Sequence, residues 1–295
     1  MFLSFFTNFP QSTSRTMHGP KSTTIIHEKE GADGYGPAFA TAVPNCPATY
    51  RRPPAVNAGR TIEAAGVAHA NFAPSDGKPR GSEDYSENLS DYTVLQQHVL
   101  FWDRNNDGII TPIDVWVGFR DLGFNIPTCL LACTVIPFAF SYGTVMQHSY
   151  FPDPFFRLYV DGMHKTKTWT QHGSDSGVYD SEGRFVPQRF EDIFANCSAR
   201  KDNTLTFREV FDLMSRNRCA VDPFGWLASF FEWVTTWMLL ADDGKVHKED
   251  LRRVYDGSLF WDIREKRRSG EGWKQGWGLG GDGFIGYRKR IGIHL

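Results

Sequence analysis

Cysteine is scarce in this chain. Five residues (Cys46, Cys129, Cys133, Cys197 and Cys219) occur in 295, an odd number with no CxxC pair and no zinc-type Cys/His spacing. A disulfide framework is therefore not expected, and a reducing compartment suits the chain better. Net charge is nearly absent too: 32 basic against 34 acidic residues leave −2, so no global basic field calls for nucleic acid. Long unbroken apolar runs are missing, and with 41% apolar and 22% charged residues both a polytopic membrane protein and a wholly disordered chain are excluded. Aromatics, by contrast, are abundant at 15%, with 24 Phe and 9 Trp. So many rings need large flat apolar surroundings, in a core, at a membrane interface or against a planar cofactor.

The opening MFLSFFTNFPQ is apolar but has no basic n-region, and Asn8, Pro10 and Gln11 interrupt it. A short surface anchor and a cleaved secretory signal are the two readings, the signal being the weaker. Residues 1–90, rich in Gly, Pro, Ala, Ser and Asn from Lys21 to Asn88, read as an irregular N-terminal arm. Order is expected from residue 91. Val94, Leu95, Val99 and Trp102 recur at helical spacing behind Ser90 as cap.

That helix runs into Asp103-Arg-Asn105-Asn-Asp107-Gly108-Ile109-Ile-Thr111-Pro-Ile-Asp114, a twelve-residue EF-hand loop. Alternate oxygens from Asp103, Asn105, Asp107, the Ile109 carbonyl, Thr111 and Asp114 wrap a hard cation, and Gly108 permits the sharp turn. An acidic turn joining two helices is the alternative. Asp114 stands where a bidentate Glu is usual, which lowers the ligand count and weakens the preference for calcium over magnesium. The EF-hand region spans 91–125. Three further stretches, 178–189, 198–209 and 239–250, keep fragments of the loop pattern without the acidic first ligand. They read as degenerate partner hands that bind little ion; 178–189 and 198–209 lie too close for both to be complete.

From Leu122 to Pro152 there are 31 residues without a single Asp, Glu, Lys or Arg. Pro127 and Pro137 interrupt this run, so residues 126–157 are expected to form a proline-broken membrane-associating segment that enters one leaflet. A buried core helix with a proline kink is the alternative. Residues 158–260 read as a helical region, with helices at Gln188–Ala195, Phe207–Arg216, Pro223–Leu240 and Lys248–Tyr255, and 261–295 as a Gly/Trp-rich tail. GLGGDG in that tail has no strand before it and no helix after it, so it is no dinucleotide site. The fold expected is mainly α, an EF-hand helix-loop-helix core with degenerate partner hands. On residue type alone, His98 reads as a core histidine on an apolar helix face more readily than as a metal or haem ligand, and His172 as part of a surface loop.

LQQHVLFWDRNNDGIITPIDVWVGFRDLGFN (95–125), the proline-interrupted apolar segment, HGSDSGVYDSEGRFVP (172–187) and VYDGSLF (254–260) together resemble the caleosins, over roughly residues 90–260. These are calcium-binding, lipid-droplet-associated proteins, several of which act as haem peroxygenases. The resemblance implies haem b held by His98 and His172, which would then be the catalytic residues, alongside one Ca2+ in loop 103–114. It further implies oxygen transfer from a fatty acid hydroperoxide to an unsaturated acyl acceptor, giving an alcohol and an epoxide or hydroxylated product. Residence would be on the cytosolic face of lipid droplets or the endoplasmic reticulum membrane, with no nucleic acid partner. Two departures stand out. His164-Lys-Thr-Lys167 is separated from His172 by four residues, leaving His164 as a rival ligand, and the proline pattern is looser than the family's. A non-catalytic calcium-dependent protein of lipid droplets, or a haem oxygenating enzyme of specialised metabolism, are the alternatives in function.

Overall fold

A computed structural model describes residues 54–169 and 174–268. His172, the segment 1–53 and the tail 269–295 lie outside the described residues. The described chain is mainly helical, with α1 (Ala58–Thr61), α2 (Glu83–Asn88), α3 (Val94–Val99), β1 (Ile109–Ile110), α4 (Pro112–Asp121), α5 (Ile126–Val145), β2 (Leu158–Tyr159), α6 (Lys165–Trp169), α7 (Pro187–Cys197), β3 (Thr204–Thr206), α8 (Phe207–Asn217), α9 (Pro223–Leu240), β4 (Lys245–His247), α10 (Lys248–Tyr255) and α11 (Ser258–Arg268).

Local chemistry sets the helix starts. Thr93, not Ser90, caps α3, its hydroxyl taking the Gln96 N–H while the Gln96 side chain takes the Thr93 N–H. Thr111 and Asp114 make the same reciprocal pair at α4, with Pro112 supplying a preset φ in the first turn. Together α3, loop 103–114 and α4 form a helix-loop-helix. Its short strand β1 pairs antiparallel with β2, Ile110 opposite Leu158, so its partner comes from the far side of the apolar segment and not from a degenerate hand.

The stretches 198–209 and 239–250 do pair with each other. α7 and α8 flank the first, α9 and α10 the second, and β3 joins β4 with Leu205 opposite Val246. Inside 198–209 a side-chain cation stands where an ion would: the Arg200 guanidinium reaches Asp202 at 2.9 Å, Thr204 at 3.0 Å and Glu209 at 3.4 Å. Stretch 178–189 is a tight turn, closed by Asp180 accepting from the N–H groups of Glu182 and Arg184.

Residues 54–90 are irregular for most of their length, yet they are tied down. Arg252, 1% exposed, donates to the Ala73 carbonyl and to Asp256 and Glu249. Lys248 bridges Asp76 and Glu191. Buried charges of this kind hold only when both signs are present and hydrogen-bonded.

The apolar segment differs from expectation. Residues 126–145 are one continuous helix, α5. Pro127 sits in its first turn, where its missing N–H costs nothing, behind an Asn125 cap. Pro137 lies inside and forfeits one backbone bond, without ending the helix. Leu130, Leu131, Val135 and Phe138 remain exposed along it. By length and composition α5 is the described helix apolar enough to cross a membrane, although a core helix can meet the same criterion.

Candidate functional site

A cavity of about 340 Å³ lies between α3, α4, α5, α9, α10 and α11. Most of its wall is aliphatic and aromatic: Leu95, Val99, Trp102, Phe119, Phe140, Leu158, Trp233, Leu251 and Phe260. Pockets of several hundred Å³ with few convergent polar groups are where proteins hold small ligands.

His98 opens onto this wall. Its Nδ1 donates to the Val254 carbonyl at 2.7 Å, which fixes the tautomer and leaves Nε2 as a lone-pair donor with no partner among the described residues. An Nδ1–H held by a backbone carbonyl is the arrangement that orients a metal-ligating imidazole. Burial pushes the pKa of His98 down, with the Val254 bond and Asp256 opposing. The ring keeps some accessible surface because it faces the void. Phe260 and Trp102 pack against it at 5.2 Å and 5.8 Å between centroids.

The segment 254–260 therefore places this histidine. Val254 supplies the acceptor and Phe260 the edge contact. At Gly257, φ is +81°, and a Cβ there would lie 2.7 Å from the Gln97 carbonyl oxygen and 2.9 Å from His98 Cα. Only glycine permits both the left-handed turn and that approach. Tyr255 also lines the cavity.

One end of the cavity is polar, bordered by Lys167, Asp175, Ser176, Tyr179, Glu232 and Tyr255. The Lys167 ammonium pairs with Asp175 at 3.0 Å. Tyr179 donates to the Tyr255 carbonyl, and the Tyr255 and Ser176 hydroxyls lie 3.1 Å apart. Burial holds both phenols well above their ordinary range and pushes Lys167 down, Asp175 opposing the latter. Burial pushes the Glu232 carboxyl up to about 7, with Asp175 adding and Lys167 opposing. Glu232 nevertheless has open surface, because it borders a void. The shift applies when apolar matter fills the space and relaxes when water does.

The oxygen-bearing residues of loop 103–114 are gathered around one turn. Asp103, 3% exposed, accepts from the N–H groups of Asp107 and Gly108 at 3.2 and 2.9 Å. Burial raises its pKa, those two bonds opposing, so its charge lacks a full counterpart. Asn105 donates to Asp107 at 2.8 Å, and Gly108 takes φ +77°. Asp114 Oδ2 accepts both the N–H and the hydroxyl of Thr111, leaving Oδ1 for an ion. Among the described residues no three acidic, His or Cys side chains converge as a ready metal cage. The donor set still suits a hard cation, since oxygens alone are offered and a nearly buried carboxylate is unneutralised.

His148 and His164 stand apart from the cavity. His164 Nε2 bonds the Gln147 side chain at 3.0 Å, and His148 pairs with Asp161 at 3.0 Å; neither lines the cavity wall. Sequence reasoning quoted the stretches that hold Val254, Gly257, Asp175, Ser176, Tyr179 and Tyr255 without giving any of them a role, and it missed Glu232 altogether. One signal was available: Glu232 is the sole charge in the 18 residues of α9.

Helix-loop-helix units around a histidine-bearing apolar cavity define the class. The family model described as "Caleosin related protein" matches residues 90–264, a span holding every cavity residue named above. A protein named "Peroxygenase" from Lilium longiflorum is 35% identical over 79% of this chain and 95% of its own. "Probable peroxygenase 4" of Arabidopsis thaliana is 38% identical over 59% of this chain and 87% of its own. A shorter match, 40% identical over 31% of this chain and 45% of its own, carries the name "Probable inactive peroxygenase-like protein", also from Arabidopsis thaliana. No solved structure matches. The chain belongs to the caleosin family.

Proposed function

We propose that this protein is a haem-dependent, calcium-binding peroxygenase that works at a lipid surface. It would move one oxygen atom from a fatty acid hydroperoxide to an unsaturated acyl acceptor, yielding an alcohol and an epoxide or hydroxylated product. The carrying observation is His98, anchored through Nδ1 and presenting an unpartnered Nε2 to an apolar, ring-lined cavity. Those residues fit haem b. His98 would hold the iron, the resemblance assigns a second ligand to His172, and Phe260 and Trp102 would flank the imidazole. Bound haem would supply the capacity to accept an oxygen atom from a peroxide. The protein's part is to exclude water from the cavity, to offer alkyl chains an apolar wall and to hold the imidazole in one tautomer.

Calcium would occupy loop 103–114. Its structural consequence would reach His98, five residues before Asp103 and little more than one turn away. Closing the loop would fix the exit of α3 and with it the direction of the ring.

Attachment to a droplet or endoplasmic reticulum monolayer is supported by two faces. One is the exposed apolar side of α5. The other is α9, which buries Trp233, Trp237 and Leu240 and borders the cavity with Glu232, Thr235 and Thr236, yet leaves Trp226, Leu227 and Phe230 exposed. Apolar surface on this scale is uncommon on a monomer free in water. Both helices wall the cavity, so lipid-borne substrates would have a short route inward.

The test is an absorbance spectrum of the purified protein. A Soret band that disappears in His98→Val, together with hydroperoxide-dependent epoxidation of oleic acid, supports the enzyme. A colourless protein that still floats with lipid points instead to the non-catalytic lipid-droplet role.

A further inference from the structure

Glu232 is the one acid of α9, on an 18-residue helix otherwise without charge. It shares a helical face with Thr235, Thr236 and Leu239, and that face borders the cavity. Its carboxylate has no hydrogen-bond or ion-pair partner among the described residues. An ionisable group left free on an apolar wall costs stability, and sites that manage protons keep such groups.

Resting on the peroxygenase reading, we propose that Glu232 is the proton-transfer residue of the cavity: its carboxylate takes the O–H proton of the hydroperoxide and returns it to the alkoxy oxygen. The O–O bond breaks with its electron pair going to the alkoxy oxygen, which the returned proton converts to alcohol. The terminal oxygen, stripped of its proton, ends in two C–O bonds to the alkene. The hydroperoxide is reduced by two electrons, the alkene is oxidised by two, and the carboxylate is restored.

Other groups at this end are already committed. The Lys167 ammonium is held by Asp175. Tyr179 donates its phenol proton to the Tyr255 carbonyl, and Tyr255 is engaged with Ser176. The Nδ1 of His98 is spent on Val254. Among the described groups at this end Glu232 is the one carboxylate left without a partner, and with apolar matter filling the cavity its pKa rises to about 7, where taking and returning a proton are both inexpensive.

The experiment uses the full-length holoprotein and cumene hydroperoxide, whose products report how the O–O bond breaks. Proton delivery to the leaving oxygen gives 2-phenylpropan-2-ol, whereas unassisted homolysis gives acetophenone. Glu232→Gln should keep the Soret band and the helical circular dichroism, lose about 10²-fold or more in kcat, and shift product toward acetophenone. In the wild type kcat should rise through pH about 7 as Glu232 ionises; the rise should vanish in Glu232→Gln. Lys167→Met removes the ammonium that favours the carboxylate, so there the rise should move to higher pH. An infrared band of a protonated carboxyl, titrating near neutrality and missing from Glu232→Gln, checks the group without turnover. An unchanged alcohol-to-ketone ratio and pH profile in a haem-loaded Glu232→Gln overturns the role of Glu232 alone. A wild type with no Soret band overturns the haem reading and this role with it.

Discussion

Replacing Gly257 by alanine should disable the site without touching a cavity-lining side chain. Gly257 adopts φ +81°, a left-handed conformation that costs an L-residue about 1–2 kcal/mol. The added methyl would also sit 2.7 Å from the Gln97 carbonyl oxygen and 2.9 Å from His98 Cα. Both neighbours are backbone, so no side chain can swing away, and α3 must separate from the 254–260 turn by several tenths of an ångström. The His98–Val254 bond, 2.7 Å long, spans that same gap. Strain and crowding together should cost about 2–3 kcal/mol, partly offset by about 0.4–1 kcal/mol from the stiffer unfolded chain. At roughly 2–4 °C per kcal/mol for a domain of this size, Tm should fall by several degrees. Gly244→Ala is the matched control, because Gly244 has φ +71° with no atom within 4 Å of an added Cβ. It carries the conformational cost alone. The assay is a thermal melt beside a haem titration followed at the Soret band. Gly257→Ala should lose both stability and haem affinity, Gly244→Ala only a little stability. Equal effects of the two variants on haem would refute the claim that this turn places His98.

Further outcomes are expected at the loop, the histidines and the exposed faces. Asp103→Ala should remove one site from a calcium titration by calorimetry, and Asp114→Glu should tighten calcium relative to magnesium because the longer carboxylate becomes bidentate; chelating the ion should lower haem occupancy before the fold melts, as read by parallel Soret and circular-dichroism traces. His148→Val and His164→Val should each leave the Soret band in place, since their partners Asp161 and Gln147 lie off the cavity wall; loss of the band in His164→Val would transfer the ligand role there. Phe138→Asp combined with Leu227→Asp should sink the protein in a flotation gradient by charging the exposed faces of α5 and α9 together, and continued flotation would place the lipid contact elsewhere.

Much of the helix-loop-helix layout was legible because its causes are local. The spacing of Val94, Leu95 and Val99, the oxygens of loop 103–114, and helices at 188–195, 207–216, 223–240 and 248–255 need only neighbouring residues to be read. Turn 178–189 and the paired stretches 198–209 and 239–250 were harder, because they share the same fragments of pattern. What separates them is whether a helix precedes the loop and whether its central strand meets a partner. α5 misled for a related reason: Pro137 predicts a break, but packing along the rest of a 20-residue helix outweighs one lost backbone bond.

The oxygen-rich loop, the charge-free run and the helices follow from the order of residues, since each depends on residues within a few turns of one another. The tertiary structure alone decided that His98 receives its tautomer from Val254, 156 positions later. It likewise decided that Gly257 comes against the backbone of α3, and that Arg200 sits among Asp202, Thr204 and Glu209 in the loop 198–209. It also set Glu232 facing the cavity beneath an exposed apolar face. Each of these is a contact between elements, and contact between elements is fixed by packing in three dimensions, which no local periodicity encodes.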